Sequence, residues 1–153
     1  MTSMASDYRI LLVDDEENLR KTMAMILRRA GYQVETAATL KEARQCLESS
    51  SFDLTFLDLK LPDANGLTLL PDMRKRFPGM PVVVLTAHDK LDSAVEAVRN
   101  GARDYLLKPL DPPAILNRVK QILEEKGQTK TAEGLRSQVA SMLKEKRESK
   151  KRE

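Results

Sequence analysis

Five times in the first 125 residues, a short apolar run gives way to a segment with helical spacing of its apolar residues. That alternation leaves few folds open. Residues 9–13 (RILLV), 32–38 (YQVETAA), 52–59 (FDLTFLDL), 80–87 (MPVVVLTA) and 103–108 (RDYLLK) read as strands. Residues 16–30, 39–49, 66–76, 90–100 and 112–125 read as helices. Their inward stripes are expected to be Leu19, Met23, Ile26 and Leu27; Leu40, Ala43 and Leu47; Leu91, Ala94, Val95 and Val98; and Ile115, Leu116, Val119, Ile122 and Leu123. Thr39 with Glu42 three residues on forms an N-terminal capping pattern, and Gly31, Gly101 and Gly127 are placed to end helices. Pro112 and Pro113 fall in a first helical turn, where a missing N–H costs little. Strands joined through helices must run parallel, and right-handed crossovers restrict their order. The expected fold is a flavodoxin-like, doubly wound five-stranded parallel sheet, order 2-1-3-4-5, with five helices and a C-terminal helical tail. The second strand, the most polar, belongs nearer an edge.

The 153 residues suffice for one domain and an appendage. The division expected is an N-terminal extension over 1–7, a domain over 8–125 and a basic, partly helical tail or linker over 126–153. No apolar run approaches a membrane span, and the opening MTSMASDY lacks an apolar signal region. With a single cysteine, Cys46, in a helical apolar pattern, a cytoplasmic location is expected. The net charge of +3 is unevenly spread: residues 1–125 hold 17 basic and 19 acidic residues, and residues 126–153 hold 9 and 4. The basic balance therefore belongs to the tail. Direct nucleic-acid binding is not expected of residues 8–125.

The chemistry collects where the strands end. The first strand runs into Asp14 and Asp15, the third ends on Asp58, the fourth on Thr86, and the fifth on Lys108 followed by Pro109. In the order 2-1-3-4-5 those four strands are neighbours, and such sheets bind ligands beyond their carboxyl ends. Adjacent carboxylates near a core are costly unless a cation lies between them. Three of them suit a hard divalent ion with oxygen ligands, magnesium above all, which keeps positions open for phosphate. A carboxylate can itself attack phosphorus and become an acyl phosphate, a role that suits Asp58. Lys108, the Thr86 hydroxyl and the metal would then each hold one phosphoryl oxygen. The Lys108–Pro109 peptide is one where cis is accessible, trans being the commoner state of an X–Pro bond.

The segments LLVDDEENLR, FLDLKLPDANGL, VVVLTAHD and GARDYLLKP, in this order and at these spacings, resemble the phosphoacceptor receiver domain of two-component response regulators. The resemblance covers about residues 8–125. The stretch TAHDKLDSAVEAVRNGARDYLLKP is most similar to receivers of the nitrogen-regulator class. It implies that Asp58 is phosphorylated, with magnesium held by Asp15, by Asp14 mainly through water, by Asp58 and by the backbone carbonyl of Lys60. It implies that Thr86 and Lys108 grip the phosphoryl group, and that Tyr105 is an aromatic switch coupled to Thr86. The side chains of Lys60 and His88 would flank the phosphoryl group and set its lifetime. The donor implied is a phosphohistidine on a sensor histidine kinase or phosphotransfer protein. The output would be a changed helix 4–strand 5–helix 5 face, through which the protein dimerises or binds a partner. The chain would be a switch that catalyses only its own phosphorylation and dephosphorylation.

The bland readings are weaker. Glu16 and Glu17 serve as acids at a helix start, but Asp14 and Asp15 stand with Asp58 and Lys108 for company. An aspartyl phosphatase or mutase would place a second acid two residues after the nucleophile, where Lys60 stands. A flavin site would need small phosphate-cradling residues after the first strand, where acids stand. The alternative is the N-terminal regulatory portion of a larger DNA-binding transcriptional activator. In the tail, Ala132, Leu135, Val139 and Met142 mark a basic amphipathic segment over 131–147, too short to specify a coiled coil.

Overall fold

The computed structural model describes residues 7–87 and 91–129. Among these residues five strands and five helices alternate: β1 (Arg9–Val13), α1 (Glu17–Arg29), β2 (Gln33–Ala37), α2 (Leu40–Ser49), β3 (Leu54–Asp58), α3 (Gly66–Arg76), β4 (Val82–Ala87), α4 (Leu91–Arg99), β5 (Asp104–Lys108) and α5 (Pro112–Thr129). The strands form one parallel sheet in the order β2-β1-β3-β4-β5. Every residue of β3 is buried, as is β1 from Ile10 onward and β4 through Thr86; β5, at an edge, is half-buried throughout. This follows from the sequence: central parallel strands are covered on both faces and read as continuous apolar runs.

Helix ends are set by local chemistry. The Thr39 hydroxyl accepts from the Glu42 N–H at 3.1 Å, while the Glu42 carboxylate reaches back to the Ala38 N–H at 2.7 Å. Gly31 and Gly101 follow α1 and α4 with φ of 100° and 107°, the left-handed region that a β-carbon disfavours. Asn65 caps α3, its side chain accepting from the Leu67 N–H at 2.9 Å. The Lys108–Pro109 peptide is cis.

Two expectations need correction. Val95 and Val98 do not face inward: they are 40% and 41% exposed, whereas Ala94 and Ala97 are completely buried. Small alanines let α4 lie close to the sheet, which turns the bulkier valines outward. Nor does Gly127 end the last helix, which continues to Thr129. A glycine in a helix costs about 1 kcal/mol relative to alanine, too little to stop a helix already propagating.

The chain divides into two compact units, one up to Leu116 and one from Asn117. In the first, α2, α3 and α4 contribute Ala43, Leu47, Leu69, Leu70, Met73 and Ala97 to a core built on Leu11, Val13, Leu57 and Val84. In the second, Val119, Ile122 and Leu123 are buried, as the spacing along α5 predicts. The amphipathic segment over 131–147 and His88 lie outside the described residues. Among those described, no helix is long and apolar enough to cross a membrane.

Candidate functional site

The site assembles because four parallel strands end at one edge of the sheet. Val13 is paired with Leu57, so Asp14 and Asp58, each one residue further on, emerge level on adjacent strands. Asp58 pairs with Leu85, which sets Thr86 one step beyond it, and Lys108 pairs with Ala87. A cleft of about 740 Å³ opens over this edge. Asp15, Asp58, Lys60, Thr86, Ser93 and Lys108 line it, together with residues of the loop after β3.

Two carboxylates are taken almost entirely out of water: Asp14 is 0% exposed and Asp58 5%. Each has one oxygen satisfied by backbone. Asp14 Oδ1 accepts from the Glu16 N–H at 2.8 Å, and Asp58 Oδ1 from the Lys60 N–H at 3.1 Å. Their second oxygens face Lys108, whose Nζ lies 3.0 Å from Asp14 Oδ2 and 3.2 Å from Asp58 Oδ2. The ammonium donates a hydrogen bond to Asp58. It meets Asp14 as an ion pair without hydrogen-bond alignment, so that Asp14 Oδ2 is buried with no donor. Asp15, exposed, brings a third carboxylate: one oxygen from each of Asp14, Asp15 and Asp58 lies within 4.8 Å of the others.

These surroundings shift the titration of the site. Burial, reinforced by the Asp14 charge, pushes the Asp58 carboxyl up to about 6 from an ordinary 3.8, against the pull of the Lys60 N–H and the Lys108 ammonium. Burial of Lys108 acts to lower its pKa, but the Asp14 and Asp58 carboxylates outweigh it and hold the ammonium above its ordinary range. One cation is shared between two buried acids. A second cation with oxygen affinity fits this arrangement: three carboxylates converging beside an open cleft suit a hard divalent ion.

The described site residues of the sequence reading, Asp14, Asp15, Asp58, Lys60, Thr86 and Lys108, are brought together at this edge. Tyr105 stands apart from them, half-buried against the core from β5. A sequence profile of the response regulator receiver domain matches residues 10–145. The chain belongs to the response regulator receiver family. Of its relatives, the alginate biosynthesis transcriptional regulatory protein AlgB of Pseudomonas aeruginosa is 41% identical over 138 residues, 90% of this chain and 31% of AlgB. Among solved structures, a CheY-like receiver domain protein from Methanospirillum hungatei superposes with a TM-score of 0.76 at 36% identity, covering 80% of this chain and 98% of that one. The beryllofluoride-activated NtrC4 receiver domain dimer superposes with a TM-score of 0.73 at 35% identity, covering 77% and 98%. The receiver thus resembles the nitrogen-regulator class, as its sequence does. It spans about a third of the length of AlgB.

Two contributors to the receiver's site were not read from the sequence. Arg20, on α1, reaches back to donate to the Asp14 backbone carbonyl at 2.8 Å, fixing the turn that carries both acids. Ser93 brings a hydroxyl from α4 to the wall of the cleft. A basic residue early in a helix that follows an Asp pair is the signal that could have found Arg20. Ser93 left none, because its helix start follows a loop whose path the sequence does not specify.

Proposed function

We propose that this receiver takes a phosphoryl group on Asp58, in a reaction that needs magnesium, from a phosphohistidine of a sensor histidine kinase or phosphotransfer protein. The P–N bond of the donor breaks with its electron pair going to the ring nitrogen, an Asp58 carboxylate oxygen bonds to phosphorus, and the histidine, its other ring nitrogen already protonated, leaves as neutral imidazole. The observation that carries the reading is the trio of carboxylate oxygens within 4.8 Å with an ammonium inserted between its two buried members. When bound, the ion supplies charge neutralisation for the acids and for the incoming phosphoryl oxygens. Asp14 and Asp15 would hold it, with Asp58 and the Lys60 carbonyl. The Lys60 N–H orients one Asp58 oxygen. Lys108, already 3.2 Å from the other, is placed to follow charge onto the phosphoryl group. Buried Thr86 brings a hydroxyl to the same edge, and Tyr105 on β5 responds to its movement. Such chemistry is mainly positioning and charge stabilisation, and each protein molecule is modified rather than turning over.

Exposed Val95 and Val98 on α4 are the apolar surface through which a phosphorylated receiver would pair with a second copy or a partner. The NtrC4 receiver forms a dimer in its activated state. The test is incubation with magnesium and acetyl phosphate, followed by intact mass and light scattering. Gain of a phosphate's mass by the wild type and not by Asp58→Asn supports the reading; no gain in either ends it. Lys60→Ala and His88→Ala, timed for phosphate loss, test whether these side chains set the lifetime; unchanged decay in both removes that role.

A second reading concerns the whole protein. Because the chain matches 31% of a transcriptional regulator's length, it would serve as the N-terminal regulatory part of a larger DNA-binding activator, working in the cytoplasm. Phosphorylation-dependent binding of promoter DNA by the longer protein tests it.

A further inference from the structure

The loop from Leu59 to Gly66, which joins β3 to α3, is closed on itself. The Gly66 N–H donates to the Leu59 carbonyl at 2.7 Å, the Leu61 N–H to the Ala64 carbonyl at 3.2 Å, and Lys60 and Asn65 pair as an antiparallel bridge. One arm of the loop carries Lys60, whose N–H holds Asp58. The tip carries Pro62, with its fixed φ, and Asp63.

Asp63 is solvent-exposed but tethered. Its Oδ1 accepts from the Leu40 N–H at 2.8 Å and its Oδ2 from the Lys41 N–H at 3.1 Å, the first two amides of α2. Those hydrogen bonds, that of Leu40 foremost, hold its carboxyl below the usual carboxylate range. The third amide of α2 is satisfied by Thr39, its own cap. The start of α2 is therefore closed by two groups of different origin: a local hydroxyl, and a carboxylate from a loop 23 residues away in sequence. A carboxylate taking two N–H groups at a helix N-terminus makes charge-assisted bonds aided by the helix dipole. The loop tip cannot shift without breaking both.

We infer that Asp63 is a positioning residue for the magnesium and phosphoacceptor site: by fastening the loop tip to α2, it fixes the arm that presents Lys60 to Asp58 and to the bound ion. Lys60 is thus held from two directions, by Asp58 at the base and by the anchored tip. This inference rests on the function proposed above. Groups that orient a metal ligand without touching the metal typically change affinity by about ten- to a hundredfold. Asp63 acts through intervening residues of the loop, so the expected effect is about three- to tenfold.

The test uses the full chain and magnesium chloride, titrated by calorimetry, with urea unfolding in parallel. Wild type is measured first; failure to bind magnesium overturns the proposed function itself, before any variant is examined. Given binding, Asp63→Ala is expected to weaken magnesium about three- to tenfold, and Asp63→Asn, which keeps one oxygen, to weaken it less. Thr39→Ala is the control: it removes the local cap of the same helix and lowers stability, but leaves magnesium affinity unchanged. Magnesium should also slow amide exchange at Leu40 and Lys41 in wild type and not in Asp63→Ala. Wild-type affinity in Asp63→Ala would overturn the inference. So would equal weakening by Thr39→Ala, because the effect would then run through the stability of α2. If Asp63→Ala does not fold, Asp63→Asn against Thr39→Ala decides the same question.

Discussion

Replacing Asp58 by asparagine should stabilise this protein, and by an amount that depends on pH. In the metal-free fold, burial and the neighbouring Asp14 push the Asp58 carboxyl up to about 6, from an ordinary 3.8. A folded-state pKa raised above the unfolded one means that the folded protein holds its proton longer. The contribution is fully present below 3.8 and is lost as pH rises through about 6. A gap of about two units is worth at most about 3 kcal/mol, and the cleft's opening to water reduces that to roughly 2 kcal/mol. The asparagine side chain does not titrate. Wild-type stability relative to Asp58→Asn should therefore fall by roughly 2 kcal/mol between about pH 4 and 7.5 in the presence of a chelator. Urea unfolding, with a slope of about 1–3 kcal/mol per molar, would show this as a midpoint difference of about 1 M. Lys108 stays protonated throughout and contributes nothing to the difference. Adding magnesium at the higher pH should narrow the gap, because Asp58→Asn has lost one carboxylate of the trio and wild type gains more from the ion. A wild-type-minus-mutant difference that stays flat across the pH range would refute the argument. A difference that grows in favour of metal-free wild type as pH rises would do the same.

Other outcomes follow from the same geometry. Magnesium must displace the Asp58 proton at acid pH, so its apparent affinity should weaken on descending through about pH 6; calorimetry in two buffers of different ionisation heat would register the released proton, and pH-independent affinity would contradict the shifted carboxyl. Lys108→Met leaves the buried Asp14 and Asp58 without their ammonium and should cost about 3 kcal/mol at neutral pH without metal, less with it; unchanged urea stability would show that the ion pairs at 3.0 and 3.2 Å carry no weight. Gly66→Ala would put a β-carbon 2.9 Å from Leu59 Cα and 3.0 Å from the Asp58 carbonyl oxygen, backbone atoms with little room to give. It should destabilise by about 1–3 kcal/mol, and a variant as stable as wild type would mean that the loop after β3 is not held tightly against the strand.

Most of the site could be read in the chain because of one property of parallel sheets. All strands of such a sheet end on the same edge, so residues at the ends of separate apolar runs are neighbours once the strand order is known. Asp14, Asp58, Thr86 and Lys108 each occupy such a position, and the alternation that defined the strands also brought them together. The helices were legible for a related reason: a buried face repeats every three to four residues.

Where that periodicity is ambiguous, only packing decided. In α4, Ala94 and Ala97 form one apolar stripe and Val95 and Val98 another, a residue apart. Hydrophobicity alone favours the valines, but close approach to the sheet selects the alanines. Gly127 was equally ambiguous, since a glycine's backbone preference is too weak to determine where a helix stops.

The order of strands and helices is written in the chain, and so is the set of groups that meet at one edge of the sheet. Both follow from local patterns and from the way parallel strands connect. How those groups share charge is settled only when the chain is folded. The fold placed one ammonium between two buried carboxylates, carried Arg20 back to the Asp14 carbonyl, and fastened Asp63 to a helix 23 residues earlier. A charged side chain's partner is set by where loops and helix ends come to lie in space, and no repeating pattern along the chain encodes that.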